Sequence, residues 1–407
     1  MLKSACPVVC LASCEIITVR QPADENRDSE TGVARLERRI ALLVVVAVLA
    51  FAFGLALNVT SAFGPVDRWV SDTLIRWRNT PRVPSEIVTV ALDSSATRIQ
   101  HARAITRLHH AGARVIAYDV AFEGSRSGRE DGPLLRALRQ TRVVVLGALA
   151  GDRNAQGYTL PRLFGRAGEL QATGVHVGFA AYPREPDGKI RRVAVTPLEL
   201  ANSGRPQRPA VVDPHNLPGF AYAVALAARG GRLEGGVPAD NDEIIDFRGP
   251  PGTFRFIPFA DLLGGRVPAA VFRDKVVIVA TTRRFGPVGT RAVPTGGIMD
   301  TVEIDANAIA TLLYGGALRE PTPWTFVLIL LVAAFGPLAV VRAGPWSWGR
   351  RWLLVPTAAV AIIGGAWPHF DDLIFWPWTY AAASLVVSAA GLSVVLRLSS
   401  PAMGPVP

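Results

Sequence analysis

The longest uninterrupted apolar segment of the chain covers residues 40–59 and reads IALLVVVAVLAFAFGLALNV. It contains no charged residue, so a helix built from it would expose apolar side chains on every side. At about 1.5 Å per residue, such a helix would span about 30 Å, the thickness of the hydrocarbon core of a bilayer. The pattern therefore predicts a membrane-spanning helix. A cleavable signal peptide is the alternative, although the apolar region of a signal peptide is usually shorter.

Three further apolar segments lie near the C-terminus, at residues 324–341, 352–367 and 373–396. If each segment crosses the membrane, three groups of arginines lie on the same side of it. They are the arginines before residue 40, those in the loop 342–351, and Arg397. Because basic residues are enriched in cytoplasmic loops, that side is predicted to be the cytoplasm. We therefore predict four transmembrane helices, a disordered cytoplasmic tail at 1–39, a second cytoplasmic tail at 397–407, and a large extracytoplasmic domain at 60–321.

Within residues 60–321, short apolar runs alternate with segments of helical periodicity. Runs at 85–93, 114–119 and 142–149 predict strands, and the spacing of Ala102, Ile105 and Leu108 predicts a helix that ends near Gly112. Strands that are apolar on both faces and separated by helices indicate an α/β domain with a mainly parallel sheet and crossover helices. The second half of the domain is predicted to be richer in β-structure. Its predicted elements are a hairpin around 183–188, strands at 243–247 and 275–281, helices at 218–229 and 304–313, and a lid or binding loop at 283–299.

Acidic residues stand at the predicted carboxyl ends of the first two strands. Asp93 and Asp119 end these strands, and Glu123, Glu130 and Asp131 follow on the next loop. Because ligands of open α/β sheets bind beyond the carboxyl ends of the strands, these five residues form the predicted ligand-binding cleft. The alternative is structural, with the acids capping the next helix or pairing with nearby arginines.

Composition narrows the function further. The formal net charge is +10, but the arginines are scattered rather than clustered, which argues against a nucleic-acid partner. All cysteines precede the first apolar segment, at Cys6, Cys10 and Cys14, so the predicted extracytoplasmic domain carries no disulfide. The chain contains no G-x-S-x-G, P-loop, G-x-G-x-x-G or H-E-x-x-H motif, and we expect no enzymatic activity, metal or cofactor.

The order of segments across residues 60–320 resembles the second type of CHASE domain, an extracytoplasmic sensory domain of bacterial receptors. The resemblance rests on VTVALD, HARAITRLHHAGARVIAYDVAFE, REDGPLLRAL, VGFAAYPREPDGKIRRVAV, IIDFRGPPGTFRFIPFADLL, FRDKVVIVATT and VEIDANAIATLLYGGALRE. Two positions depart from the family pattern. Residues 95–100 lack the frequent tryptophan-proline motif, and Asp305 stands where the last helix often has a histidine.

The resemblance implies a signal-input module in the inner membrane of a bacterial cell. We expect it to detect a small ligand or an envelope condition, to form a homodimer in the lipid bilayer, and to act on a kinase or cyclase partner in trans. Two alternatives stay open: a non-signalling membrane scaffold or transporter accessory protein, and an exported hydrolase that uses Asp93 and Asp119.

The predicted topology is testable with protease. Protease added to intact spheroplasts should digest residues 60–321, because that segment is predicted to face away from the cytoplasm. An epitope tag at the N-terminus should survive until the cells are lysed, as followed by immunoblotting. Digestion of the domain only after lysis would invert the topology.

Overall fold

The computed structural model describes residues 22–77, 82–92, 95–120, 122, 127–141, 144–148, 153–154, 157–158, 173, 175–180, 182–183, 185–193, 218–231, 244–282, 290–314, 322–342 and 378–398. The chain divides into two compact units. The α/β unit contains Leu57–Leu328 and Ala358–Tyr380, and the helical unit contains Met1–Ala56, Ile329–Thr357 and Ala381–Pro407.

A parallel sheet forms the centre of the α/β unit. Its described strands follow the order β6-β3-β2-β8-β1-β7, and every neighbouring pair is parallel. The bounds are β1 Ile87–Leu92, β2 Val115–Asp119, β3 Val144–Ala148, β6 His176–Phe179, β7 Phe256–Pro258 and β8 Val276–Thr281. The predicted α/β class and the mainly parallel sheet are therefore confirmed.

Helices cover both faces of this sheet. They are α3 (Arg98–His110), α4 (Gly128–Gln140) and α6 (Phe259–Gly264) on one face, and α5 (Phe220–Ala228) and α7 (Thr301–Tyr314) on the other. Successive strand residues point to opposite faces, so Ile116 and Tyr118 pack with the first group while Val115 and Ala117 pack with the second. The result is a three-layer arrangement with a hydrophobic core on each side of the sheet.

Local sequence signals explain the limits of α3. Thr97 and Gln100 form a capping box: the Thr97 amide donates to Gln100 Oε1 over 2.7 Å, and the Gln100 amide donates to Thr97 Oγ1. At the other end, Gly112 has φ +78°, and the Ala113 amide donates to the Leu108 carbonyl over 3.1 Å. This is a Schellman ending, which favours glycine at the left-handed position, as predicted for Gly112.

Helix α7 is buried on nearly all sides, and its polar residues bond to a neighbouring extended segment. Glu303, Asn307 and Thr311 recur every four residues and are each about 1% exposed. Their side chains face residues 244–254, whose backbone amides need acceptors. The Gly252 and Phe254 amides donate to Glu303, the Arg248 amide to Asn307 over 2.7 Å, and the Asp246 amide to Thr311 over 3.0 Å.

These bonds explain why residues 243–247 do not form the predicted strand. Residue 243 lies outside the described residues, and in the described remainder the only β-pairing is a single bridge between Ile244 and Arg192. Side chains of α7 satisfy the amides of this segment that a neighbouring strand would otherwise bind.

The predicted hairpin around 183–188 is wrong in the described residues. The tight turn is present, since the Gly188 amide donates to the Glu185 carbonyl over 2.8 Å. The two arms do not pair, however, because β6 joins β3 at the edge of the parallel sheet. Residues 189 and 192 instead make single bridges to Ala292 and Ile244.

Two further short antiparallel pairs occur among the described residues. They are β4 (Arg153–Asn154) with β5 (Gly157–Tyr158), and β9 (Thr290–Ala292) with β10 (Ile298–Asp300). The second pair lies within the segment 283–299 that was predicted to be a loop, so its described part is a β-hairpin. Residues 283–289 lie outside the described residues.

Three segments of the described residues form helices that are long and apolar enough to cross a membrane: Leu36–Val59, Pro323–Val340 and Thr379–Leu398. They belong to α1 (Pro22–Val59), α8 (Pro323–Arg342) and α9 (Trp378–Leu398). Helix α1 begins upstream of the predicted span, within the segment 1–39 that was predicted to be disordered. The predicted span at 352–367 lies outside the described residues.

Within the helical unit, α8 and α9 run parallel to each other and antiparallel to α1. Ser384 donates to the Ala50 carbonyl over 2.9 Å, and Ser388 donates to the Ala334 carbonyl over 2.6 Å. Leu43 packs with Leu392 and Leu396 further along. Small residues permit close approach here: a Cβ added at Gly54 would lie 2.6 Å from a Leu330 methyl carbon.

The contacts of α7 with residues 244–254 lead to a stability prediction. Thr311→Val keeps the side-chain shape but removes the acceptor of the Asp246 amide, so we expect it to lower the free energy of unfolding by about 1–3 kcal/mol. Thr311→Ser is the matched control, because it keeps the hydroxyl and should lose less. Chemical denaturation of the purified full chain measures both. Equal losses, or a smaller loss for the valine variant, would contradict a structural role for this hydrogen bond.

Candidate functional site

The carboxyl ends of three sheet strands meet at one edge. In the register of the sheet, Asp119 of β2 lies beside Ala280 of β8, and Leu92 of β1 lies beside Thr281 of β8. Asp119 is the last residue of its strand, and its side chain points to the same face as Val115 and Ala117, which is the face covered by α5 and α7. The structure therefore places this predicted site residue at the edge of the sheet, facing α7.

A second carboxyl group lies against Asp119. It belongs to Asp305 of α7, which is 0% exposed, whereas Asp119 is partly exposed at the end of its strand. The two side chains are hydrogen-bonded to each other, which requires a proton on one of them. The Tyr182 hydroxyl, just after β6, donates to Asp305 Oδ1 over 2.5 Å. We call Asp119, Asp305 and Tyr182 the acid-pair site.

Burial and mutual repulsion both favour the protonated form of this pair. Burial raises the pKa of Asp119 from its usual 3.8 to about 6, and the hydrogen bond with Asp305 offsets part of that rise. Burial, and then the nearby charge of Asp119, raise the pKa of Asp305 well above its usual value. Burial and the charge of Asp305 also keep the Tyr182 hydroxyl protonated, since they raise its pKa. Near pH 6, the pair therefore holds at least one proton.

Chemically, this arrangement can bind a proton, a cation or a polar group. Asp305 Oδ2 is buried and has no hydrogen-bond partner among the described residues. A fully ionised pair would be two adjacent negative charges in a poorly solvated place, which favours a proton or another positive group between them. Among the described residues, no three His, Cys, Asp or Glu side chains come together as metal ligands.

The other predicted site residues lie elsewhere. Asp131 is on α4, at the opposite face of the sheet, where it forms a buried ion pair with Arg98. This contact matches the structural alternative for that acid, because both partners are at most 8% exposed and neutralise each other. Glu130 precedes it in the first turn of α4 and is half-buried. Asp93 and Glu123 lie outside the described residues.

A buried histidine, not predicted from the sequence, lies near that ion pair. His101 of α3 is 5% exposed, and its Nδ1 is 2.7 Å from the Tyr118 hydroxyl. Its ring also contacts Phe122 and Phe259 at centroid distances of 5.1 and 5.8 Å. Burial lowers the pKa of His101 to about 4, against a hydrogen bond to the Ala96 carbonyl, so this histidine is neutral. An aromatic cluster around a neutral imidazole is a core feature rather than a binding site.

A cluster of ion pairs ties α2 (Gly64–Trp77) to the turn at 185–191. Asp72 of α2 is 3% exposed and accepts from Arg191 over 2.9 Å and from Lys189. Arg191 also donates to Glu185 and Asp187, so three carboxylates surround this guanidinium. The Arg191 hydrogen bond lowers the pKa of Asp187 to about 2, whereas burial raises the pKa of Glu185. Arg192 Nε also lies 3.8 Å from Glu185, so three cations face three carboxylates in a cluster that holds α2 against the domain.

Sequence reasoning reached part of the acid-pair site. Asp119 was predicted from its strand-end position, and Asp305 was noted only as a departure from the family pattern. Tyr182 was missed, because it follows β6 without any periodic or motif signal, and its contact with Asp305 joins residues 123 positions apart. His101 could have been found, since it lies four and seven residues before the core positions Ile105 and Leu108 on one helical face.

Comparison with protein-family models matches residues 41–340 to the CHASE2 domain. No curated protein and no solved structure matches the chain. The matched range covers more than half of the chain and includes all three residues of the acid-pair site.

The acid pair predicts a specific pH dependence of stability. Because the pKa of Asp119 is raised in the folded protein, its contribution to stability is full below pH 3.8 and is lost as the pH rises through about 6. Asp305→Asn removes one of the two charges and supplies an amide donor to Asp119, so this loss should shrink. Thermal unfolding of the full chain between pH 4 and pH 7 measures the difference, since all other titrating groups are shared.

Glu130→Gln is the matched control for that experiment, since it removes a predicted site carboxyl from α4 without changing the acid pair. It should retain the pH dependence of the parent protein. An identical pH dependence for the parent and Asp305→Asn would contradict a contribution of the acid pair to the pH dependence of stability.

Proposed function

Because the chain belongs to the CHASE2 domain family, whose match confirms the resemblance seen in the sequence, we propose that it is a membrane-anchored extracytoplasmic sensor. It would detect a small ligand or an envelope condition and pass the signal through its membrane helices to an output protein. The observation that carries this proposal is the acid-pair site, which joins the edge of the sheet to α7, the last described helix before α8.

The chemistry of the acid-pair site supports a sensing role. Buried polar groups are normally satisfied within the fold, as in the Arg98–Asp131 pair. The pair of Asp119 and Asp305 differs, because it needs a proton or an external positive group to avoid repulsion. Asp119 is partly exposed, so a small cation, a protonated amine or a hydrogen-bonding solute has access from the edge of the sheet. Such a ligand would change the protonation of the two carboxyl groups and the repulsion between them.

A route from this site to the membrane follows from the chain itself. Asp305 lies in the first half of α7, and residues 315–322 connect that helix to α8. Helix α7 is buried in the described structure and is tied to residues 244–254 through Glu303, Asn307 and Thr311. A packed helix of this kind moves as a rigid element. We infer that ligand binding shifts α7 and that this shift reaches α8 through the short connection.

The helical unit supports a multi-pass topology. Helices α8 and α9 are parallel, as Ser388 with Ala334 and Leu392 with Leu338 indicate. A chain that leaves α8 at one end of the unit has to return to the other end before it starts α9. The predicted span at 352–367 would supply that return crossing. With the N-terminal arginines in the cytoplasm, the α/β unit then lies outside it, in the inner membrane of a bacterial cell.

We propose that the chain works through a kinase or cyclase partner in trans and as a homodimer, as the resemblance to sensory domains of bacterial receptors implies. If the partner captured in mild detergent is a permease instead, the scaffold alternative is favoured. Capture of a kinase or cyclase supports sensing.

The site assignment is tested by a ligand screen. Small cations, amines and hydroxy acids are added to the full chain in lipid nanodiscs, and the thermal unfolding midpoint is measured. We expect at least one class to stabilise the parent protein, by about 2.7 kcal/mol at a hundredfold excess over its dissociation constant. The stabilisation should be lost in Asp119→Asn and Asp305→Asn and kept in Glu130→Gln. Equal stabilisation of all variants would place the ligand at another site.

Signal transmission is tested separately by disulfide cross-linking. Single cysteines at Leu328, Leu331 and Val332 of α8, in a chain whose native cysteines are serine, report contacts between the α8 helices of two copies. A ligand found in the screen should change the cross-linking pattern in the parent protein and leave it unchanged with Asp305→Asn. A cross-linking pattern that is the same with and without bound ligand would argue against transmission through α8.

A further inference from the structure

Helix α2 carries apolar residues on the face that points away from the α/β unit. Val66, Trp69 and Trp77 are 47%, 64% and 69% exposed, which is unusual for residues of this size. With 3.6 residues per turn, the three lie within about 80° of one another around the helix axis. We call them the α2 stripe.

The opposite face of α2 is held against the domain. Ile75, about 180° round the axis from Val66, is 6% exposed. Asp72 on the neighbouring position is buried in its ion pairs with Arg191 and Lys189. Breaking such a buried pair is costly, so the rotation of α2 about its own axis is well determined. The α2 stripe is therefore directed outward by contacts that are already satisfied.

The first turn of α2 lies at the ends of the candidate membrane helices. Residues 60–63 are all that separate α1 from α2, and the Ala62 amide donates to the Leu57 carbonyl over 3.0 Å. Phe63 stacks on Tyr380 of α9 with 5.9 Å between ring centroids, and Tyr380 in turn contacts Phe326 of α8.

A hydrogen bond strengthens this arrangement, since Thr379 of α9 donates to the Asp67 carboxyl. The start of α2 is thus bound to the first turn of α9, which in turn contacts the first turn of α8. All three candidate spans have an end at the same place, and α2 starts there. If the spans cross a bilayer, α2 begins at the boundary between hydrocarbon and water.

From this geometry we propose that α2 lies in the interfacial layer of the membrane, with the α2 stripe inserted among phospholipid headgroups and the upper parts of their acyl chains. Tryptophan favours this layer because its ring is apolar while its indole N–H can bond to headgroups. Arg76 is exposed beside the stripe and can reach lipid phosphates. The inference rests on the proposed membrane anchoring and adds a lipid contact to it.

The lipid contact would give the domain a second attachment to the membrane besides the spans. Asp72 connects the helix to the turn at 185–191. A displacement of α2 in the lipid surface would therefore also displace that turn. An amphipathic helix of this type responds to the charge and packing of the lipids around it. The charge and packing of the surrounding lipids would therefore affect the conformation of the α/β unit.

The test uses the full chain in nanodiscs of phosphatidylcholine mixed with phosphatidylglycerol, with Cys6, Cys10 and Cys14 changed to serine. A nitroxide is attached at Trp69→Cys or Trp77→Cys, and its collision rates with oxygen and with a water-soluble nickel complex are measured. Oxygen concentrates in lipid and the nickel complex in water. We expect an oxygen-to-nickel ratio severalfold above that of an exposed control label at Arg103→Cys on α3.

A label at Val45→Cys, in the middle of α1, separates this inference from the proposed function. If Val45 reports lipid while positions 69 and 77 report water like Arg103, the lipid contact of α2 is overturned and the membrane anchoring stands. If Val45 also reports water, the anchoring itself fails. Spin–spin broadening between labels at position 69 of two copies, without lipid contact, would make the stripe a dimer interface and would equally overturn the inference.

Discussion

The burial of α7 is the constraint on which the rest of the α/β unit depends. A helix with almost every residue buried can contain polar side chains only where each finds a partner. Glu303, Asn307 and Thr311 find theirs in the backbone of residues 244–254, and these contacts hold that segment against the helix. The same helix then has one buried polar residue left, Asp305, which faces the edge of the sheet.

Asp305 differs from the other buried acids in what satisfies it. Asp131 has Arg98, Asp72 has Arg191 and Lys189, and Glu303 has backbone amides. Asp305 has the Tyr182 hydroxyl and another carboxyl, which is an attractive partner only while one proton is shared. The acids whose charge is satisfied by a cation or by backbone amides stabilise the fold. The one that depends on an exchangeable proton is the one whose environment solution conditions can change, which is why we assign the sensing role there.

Short-range sequence signals were sufficient for β1, β2, β3 and β8 and for α3, α5 and α7, because period, caps and apolar runs act within a few residues. The capping box at Thr97 and the Schellman ending at Gly112 mark α3 almost to the residue. The hairpin at 183–188 failed for the opposite reason. The turn itself was predicted correctly. However, β6 pairs with β3, and Arg191 forms an ion pair with Asp72. Both partners lie far from residues 183–188 in the sequence. The acid-pair site likewise joins three distant segments, so only Asp119 had a local signal.

The two ends of the α/β unit reach their neighbouring spans by different means. At the upstream end, residues 60–63 lead from α1 into α2, whose Asp72 is fixed to the turn at 185–191. At the downstream end, residues 315–322 lead from α7 into α8. In the proposed function, a ligand acting on Asp305 would displace the second connection, while the ion pairs of Asp72 restrain the first. The strain between the restrained end and the displaced end would then be relieved at α8, and this gives α7 its proposed direction of action.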